Sequence, residues 1–434
     1  MDNENKEQLA AQQPTVEQPA AEAAPKSNKT LIIILSAIIV VFAVIIAILT
    51  VGNNKSDTTD SSAVTDAAIV AETTEDDAEA EAEEPDKVID YAAIYATHDP
   101  DEVVMTIDGN DITWSEYFYF YYYSANQISQ YMDYYAAYGY DVSWDDALDE
   151  DGTTFAQEPA IEAESSVQQL IAIQGFAKEN GIELNDENKE ALETAREQNI
   201  ASFGEDATED TFIEYLSEQY LPYDLYNQMM EANYIYQQTF TDIYGQDGAN
   251  VSDEDAIQWL EDNGYMSSNH ILFMTVDTSS GEALSDEDIA AKKAQAEELA
   301  AELQGIKDEE KRLEKFLEYK EQYDEDTGKA NYPNGYTFTE GTMVQVFEDT
   351  TKELDDYQVS DPVESSYGYH IIISLPLSAD SIVEYSGTTA VTARAEKANE
   401  EYGQRMQEYY DNLKVEYADG FTAPLVTDYL VDEK

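Results

Sequence analysis

The sequence predicts an α+β protein: a mixed, largely antiparallel four-stranded sheet with helices, inserted in a mainly helical domain behind a single N-terminal transmembrane helix. Three observations predict it. Leu31 to Val51 is apolar and uncharged, apolar and aromatic residues recur at helical spacing before residue 262 and again after 385, and the stretch between them runs strand, helices, strand, helix, strand, strand.

The span reads LIIILSAIIVVFAVIIAILTV, long enough for the ~20 residues that cross a bilayer core. A cleaved signal peptide has an apolar region of only ~7–15 residues and a small-residue cleavage site, so an uncleaved anchor is expected. Lys26 and Lys29 precede the span and Lys55 follows it. This bias places the N-terminus in the cytoplasm and the bulk of the chain outside the cell membrane. Residues 1–30, rich in Gln, Ala, Glu and Pro, read as a disordered cytoplasmic tail. Residues 52–100 are acidic and nearly free of aromatics, and read as a self-repelling, disordered stalk.

Residues 101–262 form the first part of the helical domain. Val104, Met105 and Ile107 precede a turn at Asp108-Gly109 and the chain resumes at Ile112, a short hairpin. Thr113 with Glu116 is a capping box opening the helix that holds Tyr117, Phe118, Tyr119, Phe120, Tyr121, Tyr122 and Tyr123. A helix packed on both sides accounts for that run. Val167, Leu170, Ile171, Gln174 and Ala177 continue at helical spacing, as do Phe212, Leu216, Tyr226, Met229 and Met230. In residues 379–434 a last helix presents Tyr402, Met406, Tyr409, Tyr410 and Leu413 on one side, and is expected to pack back on the first region.

Charge and composition narrow the function. With 22 Lys+Arg against 93 Asp+Glu, the formal charge of −71 excludes nucleic acid and anionic membrane surfaces as default partners. Weak divalent-cation binding by the acidic surface is a further expectation. There is no cysteine, hence no disulfide, thiolate zinc site or cysteine nucleophile. Asp149, Asp151, Gly152 and Glu158 fall at EF-hand ligand spacings, but Ala147 stands where the first ligand belongs.

Residues 263–378 carry the densest signal. A strand from His270 to Val276 leads to a helix capped by Ser285 and closed at Gly305, and a second helix follows with Leu313, Phe316 and Leu317. The run YTF, a helix around MVQVFED, and the strands PVES and GYHIIIS complete it. Two of the three histidines, His270 and His370, lie at matching places on the first and last strands.

NHILF, FTEGTMVQVFED and VESSYGYHIII, in that order and spacing, resemble the parvulin family of peptidyl-prolyl cis/trans isomerases over about residues 266–376. VVMTIDGNDITWSEY and the inserted arrangement resemble the extracytoplasmic foldases of the PrsA and SurA type. The PrsA-like proteins are usually lipoproteins; here the span stands in for a lipid-bearing cysteine.

The resemblance implies an isomerase acting on X-Pro bonds of unfolded or partly folded exported polypeptides, with no cofactor and no metal. It implies that His270 and His370 are paired at the floor of the site, that Asp326 acts electrostatically near the substrate carbonyl, that Met343 and Phe347 hold the proline ring, and that Ser365 orients the histidines. Pro333, Asn334, Gly335 and Tyr336 replace the family's Gly-Asp-Leu-Gly, so one wall of the pocket differs. Asp324 and Glu325 are expected to crowd further negative charge beside Asp326. The residues leave two alternatives open: a catalytically inactive parvulin-like holdase chaperone, or an acidic cell-wall binding protein.

Overall fold

The computed structural model describes residues 87–432, apart from 141, 150, 205, 331, 387 and 388. The expected cytoplasmic tail, transmembrane helix and most of the stalk lie outside the described residues. Among the described residues no helix is long and apolar enough to cross a membrane.

The last part of the expected stalk is ordered. Strand β1 (Lys87–Ile89) pairs antiparallel with β11 (Leu430–Asp432), and Asp90 caps helix α1 (Tyr91–Tyr95) by accepting the Ala93 N–H. Ile94 is fully buried, and the Tyr95 carbonyl accepts the Trp114 indole N–H at 2.8 Å. Ile89, Tyr91, Ile94 and Tyr95 supply apolar surface to the core that the acidic average of the stretch conceals.

Strands β2 (Val103–Ile107) and β3 (Asn110–Thr113) form the expected hairpin, with Asp108 and Gly109 both at positive φ (49° and 82°), as a tight two-residue turn demands. Thr113 and Glu116 make the reciprocal cap of α2 (Trp114–Ala137). Tyr117 to Tyr121 are all buried, so this helix is enclosed on both sides. It packs on α3 (Glu158–Glu179), and its rings share a core with Phe212 of α5 (Glu209–Glu218) and Tyr226 of α6 (Tyr223–Tyr244). Helix α4 (Asp186–Ala201) lies against α6, and α7 (Asp253–Asp262) leads into the insertion.

The chain returns to this domain after the insertion. The hairpin β8 (Ile382–Ser386) and β9 (Thr389–Thr392) precedes α11 (Ala393–Asp411), whose Tyr402 and Met406 pack with Phe176 and Tyr244. Strand β10 (Val415–Tyr417) then adds antiparallel to β2. Met229, Met230 and Met406 are all buried in these cores.

The inserted domain is built on the sheet order β5-β4-β7-β6, comprising β4 (Met266–Met274), β5 (Tyr336–Phe338), β6 (Val363–Glu364) and β7 (Gly368–Leu375). All three ladders are antiparallel, so the expected mixed character is absent. Helices α8 (Asp286–Gly305) and α9 (Glu309–Tyr323) cover one face, where Ile271, Phe273, Ile371 and Ile373 meet Leu303 and Phe316. The alternation of a strand places His270, His370 and Ile372 on the other face, beneath α10 (Gln345–Glu353). Gly368, at φ 150°, opens β7 where any Cβ would collide with the Phe273 carbonyl.

The EF-hand-like stretch closes on itself. Asp149 accepts the N–H groups of Asp151 and Thr153 at 2.9 and 3.0 Å, and Glu158 belongs to the first turn of α3.

Candidate active site

His270 and His370 occupy offset positions on β4 and β7: His270 faces Ile372, and His370 faces Leu272. A two-residue offset keeps both rings on one face, and their Nδ1 atoms lie 3.1 Å apart. His270 Nε2 lies 3.0 Å from Asp326 Oδ2, and His370 Nε2 lies 2.7 Å from Ser365 Oγ. Four of the residues expected at the site are therefore joined in one hydrogen-bonded row: Ser365, His370, His270, Asp326.

Ser365 Oγ accepts the Tyr367 N–H at 3.1 Å as well as meeting His370 Nε2. The ionised carboxylate can only accept, so His270 Nε2–H donates to it, and one proton between the two Nδ1 atoms joins the rings. Burial, reinforced by the neighbouring His270, lowers the His370 pKa to about 3, against a smaller opposing pull from Asp326.

Asp326 is an anion held by three donors. Burial alone would raise its pKa, but hydrogen bonds from His270, Tyr336 and the Gly328 N–H outweigh that and hold it well below the usual carboxylate range. The Tyr336 hydroxyl donates to Oδ2 at 2.6 Å and the Gly328 N–H to Oδ1 at 2.9 Å. Burial and this donation push the Tyr336 phenol upward, so it stays protonated. The substituted wall thus supplies a ligand to the carboxylate. Gly335 suits this turn, since at φ 103° any Cβ there would collide with the Ser268 carbonyl.

The acids expected to crowd beside Asp326 are close, the Asp324 carboxylate lying within 4.8 Å of it, but each is paired with a lysine. Asp324 is turned into the sheet, where it accepts the N–H groups of Leu272 and Asp326 and pairs with buried Lys320 at 2.8 Å. Glu325 accepts the Met274 N–H and pairs with Lys292 at 2.6 Å. Each neighbouring acid is satisfied by backbone and a lysine, which leaves Asp326 to face the cleft.

Met343 and Phe347 line that cleft, a space of about 810 Å³ bounded also by Leu272, Tyr332, Tyr336 and Val344. The Phe347 ring stands edge-on to His270 and His370, with centroids 5.3 and 5.8 Å away. Buried Glu348 accepts the N–H groups of Gly341 and Met343 at 3.1 and 2.8 Å, fixing the loop that carries Met343. Glu348 and Lys320 were not singled out in the sequence, and Tyr336 and Asp324 were read only as part of a changed wall and as a crowding acid. Lys320 and Asp324 at helical i,i+4 spacing are a readable signal, whereas the reach of Tyr336 to Asp326 depends on the path of a loop.

His270, Asp324 and Asp326 bring possible ligand atoms within 4.8 Å of one another. Their lone pairs are already committed: His270 to His370 and Asp326, Asp324 to two backbone amides and an ammonium. The donor set does not fit a resident metal ion.

Comparison with known proteins accords with this geometry. Residues 270–374 match the family described as Rotamase, PPIC-type PPIase domain. Foldase protein PrsA 1 of Bacillus cereus is 45% identical over 69 residues, 15% of this chain and 24% of that protein. Foldase protein PrsA of Staphylococcus epidermidis is 26% identical over 235 residues, 51% of this chain and 64% of that protein. The matched stretches thus span from about a quarter to just under two thirds of these relatives. Among solved structures, peptidylprolyl isomerase PrsA from Bacillus anthracis aligns over 57% of this chain and 94% of its own, at 18% identity and a TM-score of 0.20. A SurA-like chaperone of Campylobacter jejuni aligns over 73% of this chain and 99% of its own, at 10% identity and a TM-score of 0.18. Residues 270–374 are a parvulin-type isomerase domain.

Proposed function

We propose that the chain is a prolyl cis/trans isomerase and chaperone for exported polypeptides, anchored in the membrane by residues 31–51 with its folded part outside. The row from Ser365 to Asp326 at the floor of an apolar cleft carries the catalytic half of this reading. The uncharged span and its flanking lysines support the anchoring.

Rotation about an X-Pro bond costs ~18–20 kcal/mol because it breaks amide resonance. No covalent bond to the protein is needed; the site must bind the twisted amide better than either planar form. Met343 and Phe347 offer an apolar seat for the proline ring. Asp326, held ionised, lies where the carbonyl would enter, and a fixed anion there opposes the resonance form that places negative charge on the carbonyl oxygen. The paired histidines position that carboxylate, which supplies negative charge at the cleft floor.

A protease-coupled isomerisation assay on Xaa-Pro peptides tests the reading, using residues 87–432 with Asp326→Asn and His270→Ala as controls. Acceleration by the native chain and its loss in Asp326→Asn is the expected result. A folded native chain with no acceleration on any peptide would leave the cleft as a peptide-binding module.

A further inference from the structure

We propose that the end of α2 and the loop after it form a docking surface for basic, unfolded segments of client polypeptides. This deepens the chaperone half of the proposed function and rests on it.

Tyr134, Tyr138 and Tyr140 are 59, 67 and 62% exposed, and Tyr131 is 45% exposed, in a molecule whose other tyrosines on this helix are buried or half-buried. These rings pack on one another: Tyr131 on Tyr135 at 4.5 Å, Tyr134 on Tyr138 at 5.0 Å, Tyr135 on Tyr140 at 5.8 Å between centroids. The result is a continuous aromatic ridge facing solvent. Exposed apolar surface gathered in one patch marks an interaction site more often than scattered rings do.

Charge selects the occupant. From Val88 to Ala177 the sequence holds no lysine or arginine; Asp133 is exposed on the helix beside Tyr134, and Asp145 and Asp151 are exposed in the segment that follows it. Tyrosine faces attract ammonium and guanidinium groups, and the surrounding carboxylates add a long-range field of the same sign. A second copy of this chain would bring the same negative charge and be repelled. An unfolded segment carrying Lys and Arg among apolar residues meets both features, since its stems and rings cover the tyrosines while its charges face the acids.

The test measures fluorescence anisotropy of two labelled, unstructured, proline-free peptides, one Lys/Arg-rich and one with Glu in the same places, against residues 87–432. The tested variant is Tyr134→Ala/Tyr138→Ala/Tyr140→Ala, in which no core side chain changes. The basic peptide should bind, weaken as salt rises, and lose about tenfold or more in affinity in the variant. The acidic peptide should not bind. Equal affinity in native and variant chains, or binding of both peptides alike, overturns the proposal. So does a concentration-dependent dimer that the variant abolishes, which would make the ridge a self-association face. Isomerisation of a short Xaa-Pro peptide, measured in parallel, should be unchanged in the variant. Aggregation suppression that survives in the variant refutes the ridge while sparing the chaperone reading, and its absence from the native chain refutes the chaperone reading itself.

Discussion

Tyr336 and His270 share one oxygen of Asp326: the phenol donates to Oδ2 from 2.6 Å and the imidazole approaches it from 3.0 Å. Tyr336→Phe removes one of three donors, while Asp326→Asn removes the charge. In the protease-coupled assay, kcat/KM should fall roughly three- to tenfold for Tyr336→Phe, the size of an ordinary net hydrogen bond, since His270 and Gly328 still hold the carboxylate. It should fall about a hundredfold or more for Asp326→Asn. Equal losses would mean that hydrogen-bonded position, and not the anion, governs the rate.

The depressed His370 pKa ties stability to pH. A base that binds its proton less well when folded loses stability as pH falls below its unfolded value of 6.5, down to its folded value of about 3. Asp326, also depressed, adds a loss of the same sign at still lower pH. Between pH 6.5 and 5 the native chain should lose about 2 kcal/mol relative to a His370→Phe variant. Urea denaturation of both at several pH values measures the difference; parallel curves would show that His370 does not couple folding to protons.

Lys320 is buried with its ammonium on Asp324 and on the His270 carbonyl. Lys320→Met leaves Asp324 as an uncompensated buried anion, at an expected cost of about 3–5 kcal/mol. Adding Asp324→Leu should not restore stability, since the Leu272 and Asp326 amides then lose their acceptor. Chemical denaturation of the single and double variants decides this, and full rescue would argue against the amide contacts.

The ordered residues before the β2–β3 hairpin carry measurable stability. A chain beginning at Asp101 should be less stable than one beginning at Lys87 by about 3 kcal/mol or more, from losing Ile94 in the core, the Trp114 hydrogen bond and β1. Matching denaturation midpoints would show that this segment merely rests on the surface.

The site was legible where scarce residues met strong periodicity. His270 and His370 stand out because strand alternation and rarity single out two histidines among many acids, whereas Ser365 came only from the parvulin resemblance. Met343 and Phe347 followed from the same resemblance. Asp326 followed from the resemblance, but its setting is not readable there: Asp324, Glu325 and Asp326 look like three charges in a row, and only the fold shows Lys320 and Lys292 pairing with the first two. Lys320 lies one helical turn from Asp324, while Lys292 is far off in the chain and no local pattern connects it to Glu325. Residues 87–95 were absorbed into the stalk because an average over an acidic stretch outweighs four apolar side chains.

The pairing of β1 with β11 and of β2 with β10 also fixes an order of events. A chain delivered from its N-terminus releases the parvulin-type domain as one continuous stretch, while the helical core waits for α11 and the last strands. The domain whose residues begin later is therefore the first that can close. The protein proposed to fold others has its own isomerase domain complete while its aromatic core still lacks its final partners.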